Sequence, residues 1–521
     1  PQIRKTLQEM TRREGLPHSP LGGAFALDAP ENRYSYLFTR NISEENVDLW
    51  ILMARRAGIP YIHFSGWQKT LGSYEPRPTL FPNGFAGLKA TIDKIHAAGL
   101  KASTHTLTGC ISPTDPFASP VPDPHLAVRS TLTLAEDVDE KATTIPLAES
   151  PAGMDTIWAY ASKGNAVRLG NEVVQFTGVR EEPPYALTGC QRGAFGTKPA
   201  AHKKGAPVSY LYSWYGTFYP DPDSPLAERV ADSIARAINE CGFDMIYMDG
   251  AEGMPGARGY GAAKMRNTIF SKIRRPVRVE ASNGPAHHSW TMHSCMGAWD
   301  LPHWGIKPFI DLHCKANESA RTGELMPAQL GWWGILGPTE DYDALLPDEI
   351  EYLCAKALGW DQALSFQGVI PSQRPVNARQ DEYLTLIGRY ERLRLADYFS
   401  EDVRAKLREP GAEYHLVQSP EGEWYFLPRD YASRKVTRGE EWRVTNRYAR
   451  QTPKLRVQAL YAAGPYDGQS VTLADFTRPG EFGEPAAAEG VTISLEPSTE
   501  QVKAGTASGK LVATNRGKEA R

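Results

Sequence analysis

Along much of the chain, apolar residues recur three and four positions apart, and each such stretch runs into a short apolar block after glycine or proline. Val47, Trp50, Ile51, Ala54 and Ala57 follow that spacing, and Gly58 and Pro60 lead into Tyr61-Ile62-His63-Phe64. The pattern predicts a helix feeding a buried strand. It recurs with Phe85, Leu88, Ile92, Ile95 and Gly99 before Leu100 to His105, and again with Leu226, Val230, Ile234, Ile238 and Gly242 before Met245 to Asp249. Such units in succession predict parallel strands joined by crossover helices. Further strands are expected at 277–280 after a helix around 262–273, at 297–300, at 329–333, and at 363–366 after a helix over 348–359, with a first strand near 23–27. A count of about eight makes a closed TIM-type (β/α)8 barrel the natural α/β solution, with a doubly wound open sheet as the alternative.

The rhythm breaks between residues 129 and 212. There Thr131 to Leu134, Thr143 to Leu147 and Glu172 to Thr177 alternate as short strands between Gly, Pro and Asp turns, which predicts a small β-domain inserted after the third barrel strand. The barrel is then assembled from 1–128 and 213–399. Beyond a long helix over 381–398, short strands such as Tyr414 to Val417 and Trp424 to Leu427 predict a C-terminal β-sandwich over 400–521.

Length agrees with this division, because 521 residues exceed one ordinary domain and suit a barrel plus smaller modules. No apolar run approaches a membrane span, so no membrane partner is expected. A net charge of −3, without basic residues clustered among aromatics, argues against nucleic acid. Cys110, Cys190, Cys241, Cys295, Cys314 and Cys354 lack Cys-x-x-Cys or zinc-site spacing and read as buried thiols. The sequence begins at Pro1 without a charged and apolar leader, so any signal peptide is expected to have been removed or never to have existed; the compartment stays open, with a secreted or periplasmic setting favoured.

A parallel barrel gathers its active groups at the C-terminal strand ends, where the loops converge. The residues expected there are acidic and aromatic: Asp28, Trp67, His105, Asp249 with Glu252, Glu280, Asp300 with His303, and Trp332 with Trp333. Cleaving an acetal needs one group to protonate the leaving oxygen and another to stabilise an oxocarbenium-like centre, work that two facing carboxylates can do. Asp249 closes an apolar run and precedes Gly250, which permits a sharp turn; Asp300 follows roughly two βα units later. Trp67, Trp332 and Trp333 offer flat faces to sugar rings, and Glu252, Glu280, His105 and His303 can hold hydroxyls. Arg40 and Arg321 would pair with an acidic glycan. His287, His288, His293, His303 and His313 lack the spacing of a helical metal site, so neither metal nor cofactor is expected.

Three segments resemble the glycoside hydrolases of the α-galactosidase clan. They are Phe64-Ser65-Gly66-Trp67, Phe81-Pro82-Asn83-Gly84-Phe85 running on to Gly99-Leu100-Lys101, and Tyr247-Met248-Asp249; Glu280-Ala281-Ser282 and Trp299-Asp300 are similar to later segments of that clan. The resemblance implies Asp249 as nucleophile and Asp300 as acid/base. Phe64-Ser65 stand where the clan has an aspartate pair that grips sugar hydroxyls, and the β-insertion is foreign to it, which together imply a distant glycosidase family. The alternatives are a polysaccharide lyase or acid-sugar hydrolase working through His105, Tyr247 and an arginine, and a non-catalytic glycan-binding protein.

Overall fold

A computed structural model describes residues 2–23, 26–282, 291–296, 306–323, 328–337, 344–371 and 379–431, and beyond these 441, 443, 445, 448–450, 477, 491–500, 502 and 506–515. The chain divides into two compact units, Pro1–Pro453 and Lys454–Arg521. In the second, Val491–Ser498 pairs antiparallel with Ser508–Asn515.

The first unit is built on a ring of parallel strands. Tyr36–Arg40, Tyr61–Ser65, Lys101–Leu107, Met245–Asp249, Arg278–Ala281 and Ser294–Met296 pair in that order as the first to sixth strands. The seventh is divided at Leu330: Ala328–Gln329 pairs with the sixth, and Gly331–Gly334 pairs with the eighth, Leu364–Gln367. The eighth pairs with the first, and the two ends of the curled sheet, Ala328–Gln329 and Gly331–Gly334, are consecutive in the chain through Leu330, which supports a (β/α)8 arrangement over an open sheet.

The crossover helices carry the apolar spacing that the sequence shows. In Pro225–Cys241, Leu226, Val230, Ala231, Ile234 and Ile238 form one buried face. Pro225 opens this helix and Gly242, at φ 92°, ends it. Each such Leu or Ile contributes about 1.5–3 kcal/mol by leaving water. Helices Val47–Arg56 and Gly84–Ala97 bury similar faces, and the core between helices and strands is continuous.

The first strand is not at 23–27. Ala26–Asp28 is a short 3-10 turn, and the strand is Tyr36–Arg40, whose alternating aromatics line the barrel interior. The turn is held by Arg4 and Gln8, which both bond Asp28. Asp28 therefore belongs to a surface ion pair that precedes the barrel.

Between the third and fourth strands, Val128–Thr133, Pro207–Leu211, Ala166–Leu169 and Glu172–Gln175 form a four-stranded antiparallel sheet. Thr144–Pro146, Ala186–Thr188 and Gly178–Arg180 form a three-stranded one. They share a hydrophobic cluster that includes Leu134, Ile145, Val167, Val174 and Leu187. Buried Glu172 accepts from Arg192 at 2.7 Å and from the N–H of Gly193 at 2.9 Å, pinning the loop that follows. Gln380–Leu395 follows the eighth strand as the last barrel helix, and after it come Glu401–Arg408 and a hairpin of Tyr414–Gln418 with Trp424–Pro428. Most of the sandwich expected over 400–521 lies outside the described residues.

Candidate active site at the barrel mouth

Side-chain parity decides which strand residues reach the interior. The register aligns His105 with Tyr247 and Tyr247 with Glu280, and their side chains stand with Tyr36, His63 and Trp332 inside the barrel. Asp249 lies two residues beyond Tyr247, one inward layer nearer the mouth.

Asp249 ends the fourth strand, and Gly250 at φ 69° turns the chain away behind it. A Cβ at Gly250 would stand 3.3 Å from Leu107 Cδ2 and 3.7 Å from Cys110 Sγ, so this turn is tightly backed as well as left-handed. The Asp249 carboxylate accepts from the Gly250 N–H at 2.9 Å, and His105 Nε2 lies 3.5 Å from its other oxygen. Both side chains keep a small opening to solvent, 15% for Asp249 and 12% for His105. Burial pushes the Asp249 carboxyl up, but His105, Ser282 and the Gly250 N–H outweigh it and hold the acid below its ordinary value. Asp249 is therefore a carboxylate at neutral pH.

Glu252 sits in the 3-10 turn Ala251–Gly253 on the rim. It accepts from Tyr215 Oη at 2.8 Å and from Ser282 Oγ at 3.0 Å. Ser282 thus stands beside both mouth acids.

Glu280 lies beneath them, fully buried. Tyr36 Oη donates to it at 3.0 Å and Ser294 Oγ at 3.3 Å, with Arg278 at 3.5 Å. Burial dominates, and despite these partners the carboxyl is pushed up to about 7. His63 is driven the other way, well below its ordinary value, by burial and then by His105 and Arg278, so it is neutral. Trp332 Nε1 donates to Tyr36 Oη at 2.9 Å, connecting the mouth to this buried group.

Several sequence expectations need correction. Trp67 is 1% exposed; its Nε1 donates to Thr104 Oγ1 at 2.9 Å and its ring packs on Tyr74 and Phe243, so it offers no face to a sugar. Trp333 is buried against Phe309 and His313 with its Nε1 bonded to Leu330 O, outside the barrel interior. Adjacent strand residues face opposite sides, so only one of Trp332 and Trp333 could enter the mouth. Glu280 has no surface with which to touch a hydroxyl. Asp300, His303 and the Arg321 side chain lie outside the described residues. What the structure brings together is Asp249, His105, Glu252 and Trp332, joined by Ser282 and Tyr215. Clefts at the opposite end, one against Arg33, Tyr34 and Lys101 and another against His18 and Arg274, open at the strand N-termini, away from these acids.

The chain resembles carbohydrate-active barrels of known structure. An α-galactosidase from Lactobacillus brevis is 11% identical at a TM-score of 0.41, over 75% of this chain and 45% of that one. An α-amylase from Geobacillus thermoleovorans is 10% identical at 0.41, over 77% and 85%. A β-L-arabinopyranosidase from Geobacillus stearothermophilus is 13% identical at 0.39, over 76% and 81%. This chain thus spans less than half the length of the Lactobacillus enzyme. No family model and no curated protein matches it. The barrel rests on the strand pairing given above, independently of these likenesses.

Proposed function

We propose that the protein is a glycosidase that cleaves a glycosidic bond of an oligo- or polysaccharide in the barrel mouth, with Asp249 as nucleophile. The observation that carries the reading is an ionised, slightly open carboxylate at the end of the fourth strand, fixed by His105 and the Gly250 N–H. A nucleophile must be charged, aimed and reachable, and Asp249 meets all three conditions. Asp300, which follows the sixth strand in sequence, is the proposed acid/base, and retention of configuration then requires the two carboxyls about 5–5.5 Å apart. Glu252 binds sugar at the rim, and Trp332 meets it from inside the barrel. Residues 1–128 and 213–399 form the catalytic barrel on this reading, with 129–212 as an inserted β-domain; of the C-terminal β-sandwich expected over 400–521, the helix Glu401–Arg408 and the hairpin after it belong with the first compact unit, so a sandwich would lie beyond Pro453.

The test is a panel of chromogenic glycosides and natural polysaccharides offered to wild type, Asp249→Asn and Asp300→Asn. Asp249→Asn is expected to lose about 10³-fold or more in turnover with its melting temperature preserved. Asp300→Asn is expected to lose far more on natural glycans than on aryl glycosides, whose leaving group needs no proton. A double variant with full activity refutes the assignment.

A further inference from the structure

Tyr160 of the inserted segment and a hairpin just after that segment make a second feature beside the mouth. Ser213–Trp214 and Thr217–Phe218 form a hairpin whose two-residue turn is Tyr215-Gly216, at φ 54° and 62°. Such turns favour Asn-Gly, and a tyrosine at the first position is strained. Here its hydroxyl bonds Glu252 at 2.8 Å, its N–H bonds Tyr160 O at 2.9 Å, and its ring lies 4.8 Å from that of Tyr160. Tyr160 is 72% exposed, one of the most open large side chains among the described residues.

The loop that carries Tyr160 is anchored on several sides. The buried Ser162 hydroxyl donates to Ile157 O at 3.2 Å and Ala159 O at 3.1 Å, and accepts from the Ala159 N–H at 2.9 Å. Asp155 accepts from the Lys163 N–H at 2.6 Å, while Trp158 packs beneath on Phe195 and Phe218, at 5.0 and 5.2 Å. An exposed ring on an anchored loop loses little freedom when a ligand covers it.

We propose that Tyr160, braced by the ring of Tyr215 that lies tilted 44° beside it, forms a shelf on the rim that stacks on a pyranose ring of a glycan chain, one or more units away from the sugar held at Asp249. The proposal rests on the glycosidase reading of the mouth and deepens it by assigning a second sugar-binding position, on the rim and outside the cleavage point. The occupant follows from position, because the shelf is continuous with the mouth through Tyr215, Glu252 and Ser282. Flat rings with a polar edge suit the C–H faces and hydroxyls of pyranoses.

The test uses the full chain with Tyr160→Ala and Tyr160→Trp. KM and kcat are measured on a p-nitrophenyl monoglycoside and on an oligosaccharide ending in the same sugar, and migration is followed in gels containing galactomannan, xylan or mixed-linkage β-glucan. Tyr160→Ala is expected to raise KM for the oligosaccharide about tenfold, to leave the monoglycoside unchanged and to abolish gel retardation, and Tyr160→Trp to restore both. Equal losses on both substrates, no change on either, or altered self-association alone would each overturn the shelf. Should wild type cleave nothing, the glycosidase reading fails by itself. Retardation of wild type but not of Tyr160→Ala would then still support the shelf, and identical migration would reject it.

Discussion

Glu280 shows how far one residue can depart from its sequence reading while keeping its place on the strand. Its position after Val277 to Val279 marks it as an inward-facing acid, yet depth is invisible in a single run. It sits level with Tyr247 rather than Asp249, and this one layer takes it out of contact with solvent. Depth also sets its titration. The unfolded carboxyl ionises near 4.5 and the folded one near 7, so between those values the folded state holds a proton that the unfolded chain has released. Raising pH across this window therefore removes stability, at about 1.4 kcal/mol per pH unit when fully expressed. Melting curves of wild type and Glu280→Gln should diverge accordingly. The variant is expected to gain on wild type as pH rises from 4.5 to 7, with a constant difference above that, and a difference independent of pH would refute the shifted acid. The indoles illustrate a second kind of illegibility. Trp67 has the composition of a sugar platform, but its N–H finds Thr104 inside the packing layer, and no local pattern distinguishes that partner from a ligand.

At the level of elements, the helix–strand units were legible because each repeats one physical arrangement, an apolar helix face ending at glycine before a buried strand. Pro225–Cys241 with Met245–Asp249 shows it clearly. Legibility failed where a strand is short or its interior is polar. Tyr36–Arg40 mixes aromatics with Thr39, and the apolar residues near 26 drew the expected strand away from it. The seventh strand was expected as one piece over 329–333, whereas it changes partner at Leu330, and Gly331 takes φ 104° there. A side chain at that angle is strained, so Gly331→Ala is expected to destabilise the fold by roughly 1–3 kcal/mol, read as a lower denaturant midpoint. An unchanged midpoint would mean that the ring closes without this kink. The turn Tyr215-Gly216 has no counterpart in the sequence reading, since a left-handed tyrosine leaves no mark in composition.

For the whole molecule, the described hydrophobic clusters lie within residues 34–426, and the division falls at Pro453. Residues 1–453 produced alone should therefore unfold in one cooperative transition and keep any turnover that the full chain shows. Calorimetry on the shortened chain checks this, and a broad, non-cooperative transition would show that the remaining residues are needed for the fold. The overall plan was readable from alternation alone. The arrangement of the mouth was not, because Ser282 meets Asp249 and Glu252, and Tyr215 meets Glu252, through register and turn geometry rather than through proximity in the chain.

Directly behind the turn that aims Asp249 stands Cys110, buried, with its thiol donating to Tyr219 Oη at 3.1 Å and pushed up to about 12 chiefly by burial. Because only the thiolate reacts, an alkylating reagent can label this sulfur only while the backing of the turn has swung open. The molecule thus carries its own stopwatch: the labelling rate of Cys110 reports the open fraction of the floor under the acid, or the opening rate itself when alkylation outpaces reclosing.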